Sequence, residues 1–314
     1  VTDAGISSRE SVPVPSARLD EDALDAPVPL EEVTDGGWEV LDLVGPAVDL
    51  PIETHLLPLA GRVDVANRYV SVVLVTVDLN EKKRNFCSGT IIGHRLVLTA
   101  GHCVCLQRKE PSEPSGSQSI IDGSACARTA TVATTAYGPF ADTNERVAWR
   151  RATYDGMVRP HPRLRIVLDG QGHVVSSDAD LAVIVLDEPF EKEFRPIPLA
   201  DKDIQLNESI VIVGSGYDET ANAYDGERRS STNTIIEVLA SGGGRLRIRQ
   251  PDGHHYKGDS GGPCLREGSE GAVLVGVSSR NLGEGEAVTS TYPYRDWLRG
   301  EIQRAEGRQQ TRPK

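Results

Sequence analysis

Three short motifs carry residue types that can do chemistry together. Gly258-Asp259-Ser260-Gly261-Gly262-Pro263 sets a serine among glycines, where an unhindered backbone can turn tightly and aim N–H groups at one point. Leu98-Thr99-Ala100-Gly101-His102-Cys103 places a histidine directly after an apolar run and beside a cysteine. Asp180-Leu-Ala-Val-Ile-Val-Leu186 heads another apolar run with a carboxylate. A hydroxyl nucleophile, an imidazole base and an acid that fixes the tautomer of the base are the parts of acyl transfer through a covalent intermediate. Backbone N–H donors would hold the oxyanion.

Two rivals bear on this reading. Asp178 stands only two residues before Asp180, but the apolar run starts directly after Asp180, which favours the latter. Gly258-Asp-Ser260-Gly-Gly262 also satisfies the G-x-S-x-G elbow of α/β-hydrolases, a fold that needs its histidine after the serine. All seven histidines, the last being His255, precede Ser260, so that reading fails.

Short strands must position these residues. Tyr69 to Val77 is β-branched and long enough to cross a sheet, and further runs follow at 89–99, 181–186, 209–213, 233–239, 245–249 and 272–278. Gly, Pro, Asp and Asn clusters separate them, which indicates a sandwich or barrel. Pro111 to Gly123, between the histidine and the aspartate, reads as an enlarged surface loop. Near the C-terminus, Trp297, Leu298 and Ile302 fall at helical spacing despite Gly300, so a short terminal helix is expected. Val1 to about Leu50 is rich in Pro, Ser, Asp and Glu, lacks apolar periodicity, and reads as a disordered leader.

Composition agrees. With 31 Gly, 19 Pro and one Met in 314 residues, the chain suits an all-β protein. Its 46 acidic against 34 basic side chains, a net charge of -12, argue against nucleic acid as a partner. No apolar stretch approaches the ~20 residues of a membrane-spanning helix, and no basic n-region followed by an apolar h-region is present, so any secretory signal is expected to have been removed or not included. Five cysteines, two of them flanking the histidine motif, suggest an oxidising compartment.

In the order His, Asp, Ser, the three motifs resemble those of the chymotrypsin and trypsin family of serine proteases, from about Tyr69 to Ile302. Phe86-Cys87-Ser88-Gly89-Thr90, His161-Pro162, Gly214-Ser215-Gly216-Tyr217 and Trp297-Leu298 support the match. The resemblance implies a serine endopeptidase acting on protein or peptide through His102, Asp180 and Ser260, without metal or organic cofactor. It implies an oxyanion hole from the N–H groups of Gly258 and Ser260, and a bridge between Cys87 and Cys103. Cys105 and Cys126 would close a second bridge, and Cys264 would remain as a buried side chain. The implied fold is all-β: two six-stranded antiparallel β-barrels with a short C-terminal helix. Its implied divisions are a leader or propeptide at 1–55, a protease domain at 56–304 and a polar tail at 305–314. Within that domain the barrels would span about 56–190 and 191–293, and the helix about 294–304. Location outside the cytoplasm, secreted or periplasmic, goes with this family. The alternative from another class is a catalytically silent binding or regulatory protein on the same fold.

Two departures touch specificity and activation. The position six before Ser260, acidic in trypsin-type pockets, is His254, and Tyr256 replaces the usual cysteine. One hypothesis has His254 or His255, with Arg280, favouring an acidic P1 residue; another has Glu286 restoring a basic preference. A metal on His254 and His255 lacks a third ligand by spacing. Family members pair the residue equivalent to Asp259 with a new amino terminus made by an activating protease, yet no basic residue followed by Ile or Val stands at the usual distance before Tyr69. Arg62-Val63 has the chemistry but lies late. Arg245, Arg247 and Arg249 alternate as on an exposed strand face, and Asn207-Glu-Ser209 fits a glycosylation sequon.

Overall fold

A computed structural model describes residues 39–40, 63–81, 83–109, 118–140, 147–216, 227–239, 243–249, 259–269, 271–279 and 287–307. The first half comprises β1 (Glu39–Val40), β2 (Val72–Asn80), β3 (Lys83–Gly93), β4 (Leu96–Thr99), α1 (Gly101–Val104), β5 (Cys105–Lys109), β6 (Ser119–Cys126), β7 (Thr129–Phe140), β8 (Val147–Pro160), β9 (Arg165–Leu168), β10 (Val174–Asp178) and β11 (Ala182–Leu186). The second comprises β12 (Ser209–Gly214), β13 (Arg229–Val238), β14 (Arg245–Ile248), β15 (Pro263–Gly268), β16 (Gly271–Ser278), β17 (Ala287–Ser290) and the terminal helix α2 (Arg295–Gly307).

Strands β8, β11, β4, β3, β2 and β7 hydrogen-bond in that order, and β7 returns to β8, closing a six-stranded antiparallel barrel. Strands β12, β13, β14, β17, β16 and β15 close a second. Closure leaves neither ring with a free edge, and the β-branched runs read in the sequence supply the inward faces. The completely buried stretch Ala182–Leu186 lies between β4 and β8, which fixes the start of β11 beside the end of β4. That adjacency brings Asp180 to His102.

Three expectations change. The loop expected over Pro111 to Gly123 is in part a strand: β6 joins β5, β9 and β10 in a separate four-stranded sheet. Gly123 and the serines on either side hide the alternation, but Ile120 and Ile121 are buried and pair with β9. The terminal helix continues to Gly307, taking in part of the expected polar tail, because Ala305 is buried beneath it. In the expected leader, Glu39–Val40 pairs with Trp149 and Ala148 of β8; the rest of that segment lies outside the described residues. Among the described residues, no helix is long and apolar enough to cross a membrane.

Candidate active site

His102 sits on α1, a single turn that follows β4 immediately, so the strand end determines where the ring goes. Its Nδ1 lies 2.8 Å from Asp180 Oδ2, and its backbone N–H donates to Asp180 Oδ1 at 2.8 Å. Two contacts from one residue to both oxygens fix the carboxylate and leave Nε2 pointing away from it. Asp180 is fully buried, and Ser279, just past β16, donates its hydroxyl to Oδ2 at 2.5 Å. Burial pushes the Asp180 carboxyl up, but the His102 ring, the Ser279 hydroxyl and the His102 N–H together hold it well below the ordinary range. The carboxylate is therefore ionised under working conditions.

Asp178 faces elsewhere. It takes two hydrogen bonds from Arg163, at 3.0 and 2.8 Å, and lies 3.0 Å from the Tyr294 hydroxyl. Ala179 between the two acids has φ +50°, a left-handed conformation that turns successive side chains apart. His161 packs edge-on against Tyr294 and Trp297 and donates its backbone N–H to the Leu181 carbonyl at 2.9 Å, bracing the same segment.

Ser260 occupies a turn clamped from both sides. Its carbonyl accepts the Ser88 N–H at 2.8 Å, and the Gly261 N–H donates to Ser278 at 2.8 Å. Gly261 has φ +85°, and a Cβ there would stand 2.2 Å from Thr99 Oγ1 and 2.3 Å from the Ser88 carbonyl. Only glycine lets the serine turn seat against the strand end that carries His102. Cys103 Sγ lies 3.6 Å from the Ser260 carbonyl oxygen. Among the described residues, no hydrogen bond joins Ser260 Oγ to the His102 ring, a contact that in comparable sites tightens only when substrate is bound.

Asp259 turns inward. Its carboxylate accepts the Gly216 N–H at 3.0 Å, and Gly214 leaves room for it, since a Cβ there would stand within 1.9 Å of Oδ1. Burial pushes this carboxyl up to about 7, while the Gly216 N–H and the charge of Arg229 pull the other way.

The bridges join Cys87 to Cys103 and Cys105 to Cys126, the first tying β3 to α1 and the second tying β5 to the end of β6. Cys264 is buried outside both. Gly258, expected in the oxyanion hole, lies outside the described residues, as do the pocket candidates His254, His255, Arg280 and Glu286. Arg245, expected on an exposed face, is buried instead, because its face of β14 turns toward the first barrel. Ser279 did not stand out in the sequence, and Arg245 stood out only as one of an alternating set read as an exposed face. The pairing of Arg245 with Thr289, and that of Thr289 with Val277, are the signals that place them together, and both are long-range.

Several known proteins are similar to this chain. "Trypsin 5G1" of Aedes aegypti is 24% identical over 236 residues, 68% of this chain and 74% of its own length. "Trypsin" of Phaedon cochleariae is 22% identical over 248 residues, covering 72% and 83%. "Phenoloxidase-activating factor 1" of Holotrichia diomphalia is 28% identical over 144 residues, 39% of this chain and 40% of that protein. Among solved structures, "Structure of GrC" superposes with a TM-score of 0.56 at 14% identity, covering 77% of this chain and 98% of that one, a likeness of fold. The family model described as Trypsin matches residues 63–298, and with that the chain belongs to the trypsin family of serine proteases.

Proposed function

We infer that the chain is a serine endopeptidase that hydrolyses protein or peptide substrates through an acyl-enzyme. The observation that carries this reading is the contact of the His102 ring with the fully buried Asp180 carboxylate at 2.8 Å, on a strand end against which the Ser260 turn is seated. Ser260 Oγ attacks the scissile carbonyl while His102 Nε2 takes its proton. Asp180 holds the ring in the tautomer that leaves Nε2 free to accept, and stabilises the imidazolium that forms. The N–H groups of Gly258 and Ser260 receive the oxyanion, and His102 then protonates the leaving amine. Water repeats the sequence on the ester and regenerates Ser260.

The protease domain is assigned to 56–304 and the leader, 1–55, to a propeptide removed by an activating protease. Two disulfides in a trypsin-family domain support an oxidising location, secreted or periplasmic. N-terminal sequencing of the active form tests the leader: activity in a chain that still starts at Val1 sinks the propeptide assignment.

A serine-directed phosphonofluoridate tests the reaction. Labelling at Ser260 that disappears in His102→Ala is expected. The competing reading, a catalytically silent binding protein, draws on the departure at His254 from trypsin-type pockets; it is favoured if Ser260 resists labelling even after the leader is removed.

A further inference from the structure

Arg245 is a buried cation that the acyl-transfer steps above do not use, with 5% of its surface exposed. The register sets it opposite Thr289, and Thr289 opposite Val277. Ladder partners point to one face of a sheet, as do residues two apart along a strand. The ladder continues past β16, with the Ser279 N–H donating to the Ala287 carbonyl. Arg245, Thr289, Val277 and Ser279 therefore share a face, and Ser279 is the residue whose hydroxyl reaches Asp180. The other face, with Leu246, Ile248 and Val288, fills the second barrel. Arg245 leaves that barrel on the side where Asp180 lies.

The backbone ahead of each residue is fastened to the other. The Tyr294 hydroxyl accepts the Ala179 N–H at 2.9 Å and lies 2.6 Å from the Gly243 carbonyl. A Cβ on Gly243 would stand 2.6 Å from Asp178 Oδ1 and 3.3 Å from Asp178 Cα. Two residues onward from this contact stand Arg245 on one chain segment and Asp180 on the other. Burial draws the Arg245 guanidinium down to about 10, and the charge of Asp180 opposes that fall.

We propose that Arg245 is a positioning residue for the Asp180–His102 pair, a second and permanent counter-charge to Asp180 supplied by the second barrel. The proposal rests on the triad reading given above. A guanidinium stays charged throughout the working range, so its field is constant. Beside Asp180 it favours the carboxylate and opposes a further positive charge on the adjoining ring. Among the described residues, the charged or titratable groups about the pair are His102 on α1, Arg245 on β14 and, one step away, Asp178 on β10 with its partners Arg163 and Tyr294. Ser279 adds a hydrogen bond but no charge.

Two measurements on the full chain test it. In Arg245→Met and Arg245→Gln, the acid limb of the pH profile of kcat/KM on fluorescein-labelled casein should move up by about half to one unit, and Arg245→Lys should restore it. In a urea-unfolding cycle of Arg245→Met with Asp180→Asn, the two changes should couple by about tenfold in the folding equilibrium. Where Arg245→Met fails to fold, Arg245→Gln replaces it in both measurements. An unmoved acid limb in a folded neutral variant, or additivity within about twofold, overturns the proposal. Should the parent chain resist labelling at Ser260, the triad reading fails by itself, and the urea cycle still decides whether Arg245 and Asp180 are coupled.

Discussion

Ser279 donates its hydroxyl to Asp180 Oδ2 at 2.5 Å, on the same oxygen that meets the His102 ring. The acid is thus gripped from both barrels: by His102 from the first and by Ser279 from the second. A hydrogen bond to a charged group contributes about 1.5–3 kcal/mol. On the mechanism proposed above, in which the bond orients the base without touching substrate, Ser279→Ala should lower kcat/KM about tenfold or more, chiefly through kcat. An unchanged kcat in the folded variant would show that the base does not depend on it.

Gly261→Ala should be among the most damaging single changes in the chain. Its φ of +85° disfavours any side chain, and the new methyl would overlap Thr99 Oγ1 on β4 and the Ser88 carbonyl on β3. The serine turn must lift away from the β4 end. Loss of phosphonofluoridate labelling and a drop of about 3 kcal/mol or more in urea-derived stability are expected; a variant that labels at the parent rate refutes the seating described.

Asp259 gives the stability of the full chain an unusual pH dependence. Its carboxyl is raised to about 7 when folded, from an ordinary 3.8. Between those values the folded chain holds a proton that the unfolded chain has released. Stability therefore falls as pH rises from about 4 through about 7, and levels off above that. In Asp259→Asn the slope disappears. From pH 5 to pH 8 the variant should gain roughly 2–3 kcal/mol relative to the parent in urea unfolding. A gain in the opposite direction would mean that Asp259 is stabilised as the anion.

The barrels are also joined by an ion pair with both side chains almost completely buried. Asp64 accepts Nε of Arg228 at 2.8 Å and the backbone N–H groups of Arg68 and Tyr69 at 2.8 Å each, while Arg228 donates to the Thr135 carbonyl at 2.7 Å. Removing one member strands a buried charge, which costs about 3–5 kcal/mol. Asp64→Ala should lose that much by urea unfolding, and adding Arg228→Met should recover part of it. Strictly additive losses would show that the two do not act as a pair.

What could be read from sequence follows from distance along the chain. His102 and Asp180 were legible because each stands at the edge of an apolar run, and Ser260 because its glycines announce a turn. The continuous runs in β2, β11 and β16 were legible for the same reason. β6 was not, since Gly123 and Ser124 break its alternation and its partners come from β5 and β9. Ser279 is an ordinary serine until β17 places Ala287 beside it. Arg245 looked exposed because alternation with Arg247 and Arg249 is what a solvated face looks like; only the second barrel's docking against Asp178 reverses that. The Asp64–Arg228 pair, 164 residues apart, leaves no local mark at all.

The four-stranded sheet of β5, β6, β9 and β10 bears on the order in which the molecule assembles. His102 and Asp180 are 78 residues apart, and closing a featureless loop of that length is slow. Here the interval is taken up by that sheet, pinned by the Cys105–Cys126 bridge, and by the long β7–β8 hairpin. Base and acid therefore meet by the docking of pieces already paired within themselves. That meeting is the pairing of β11 with β4, so it coincides with closure of the first barrel. Reactivity at Ser260 and the native circular dichroism of the first barrel should then be lost together on heating.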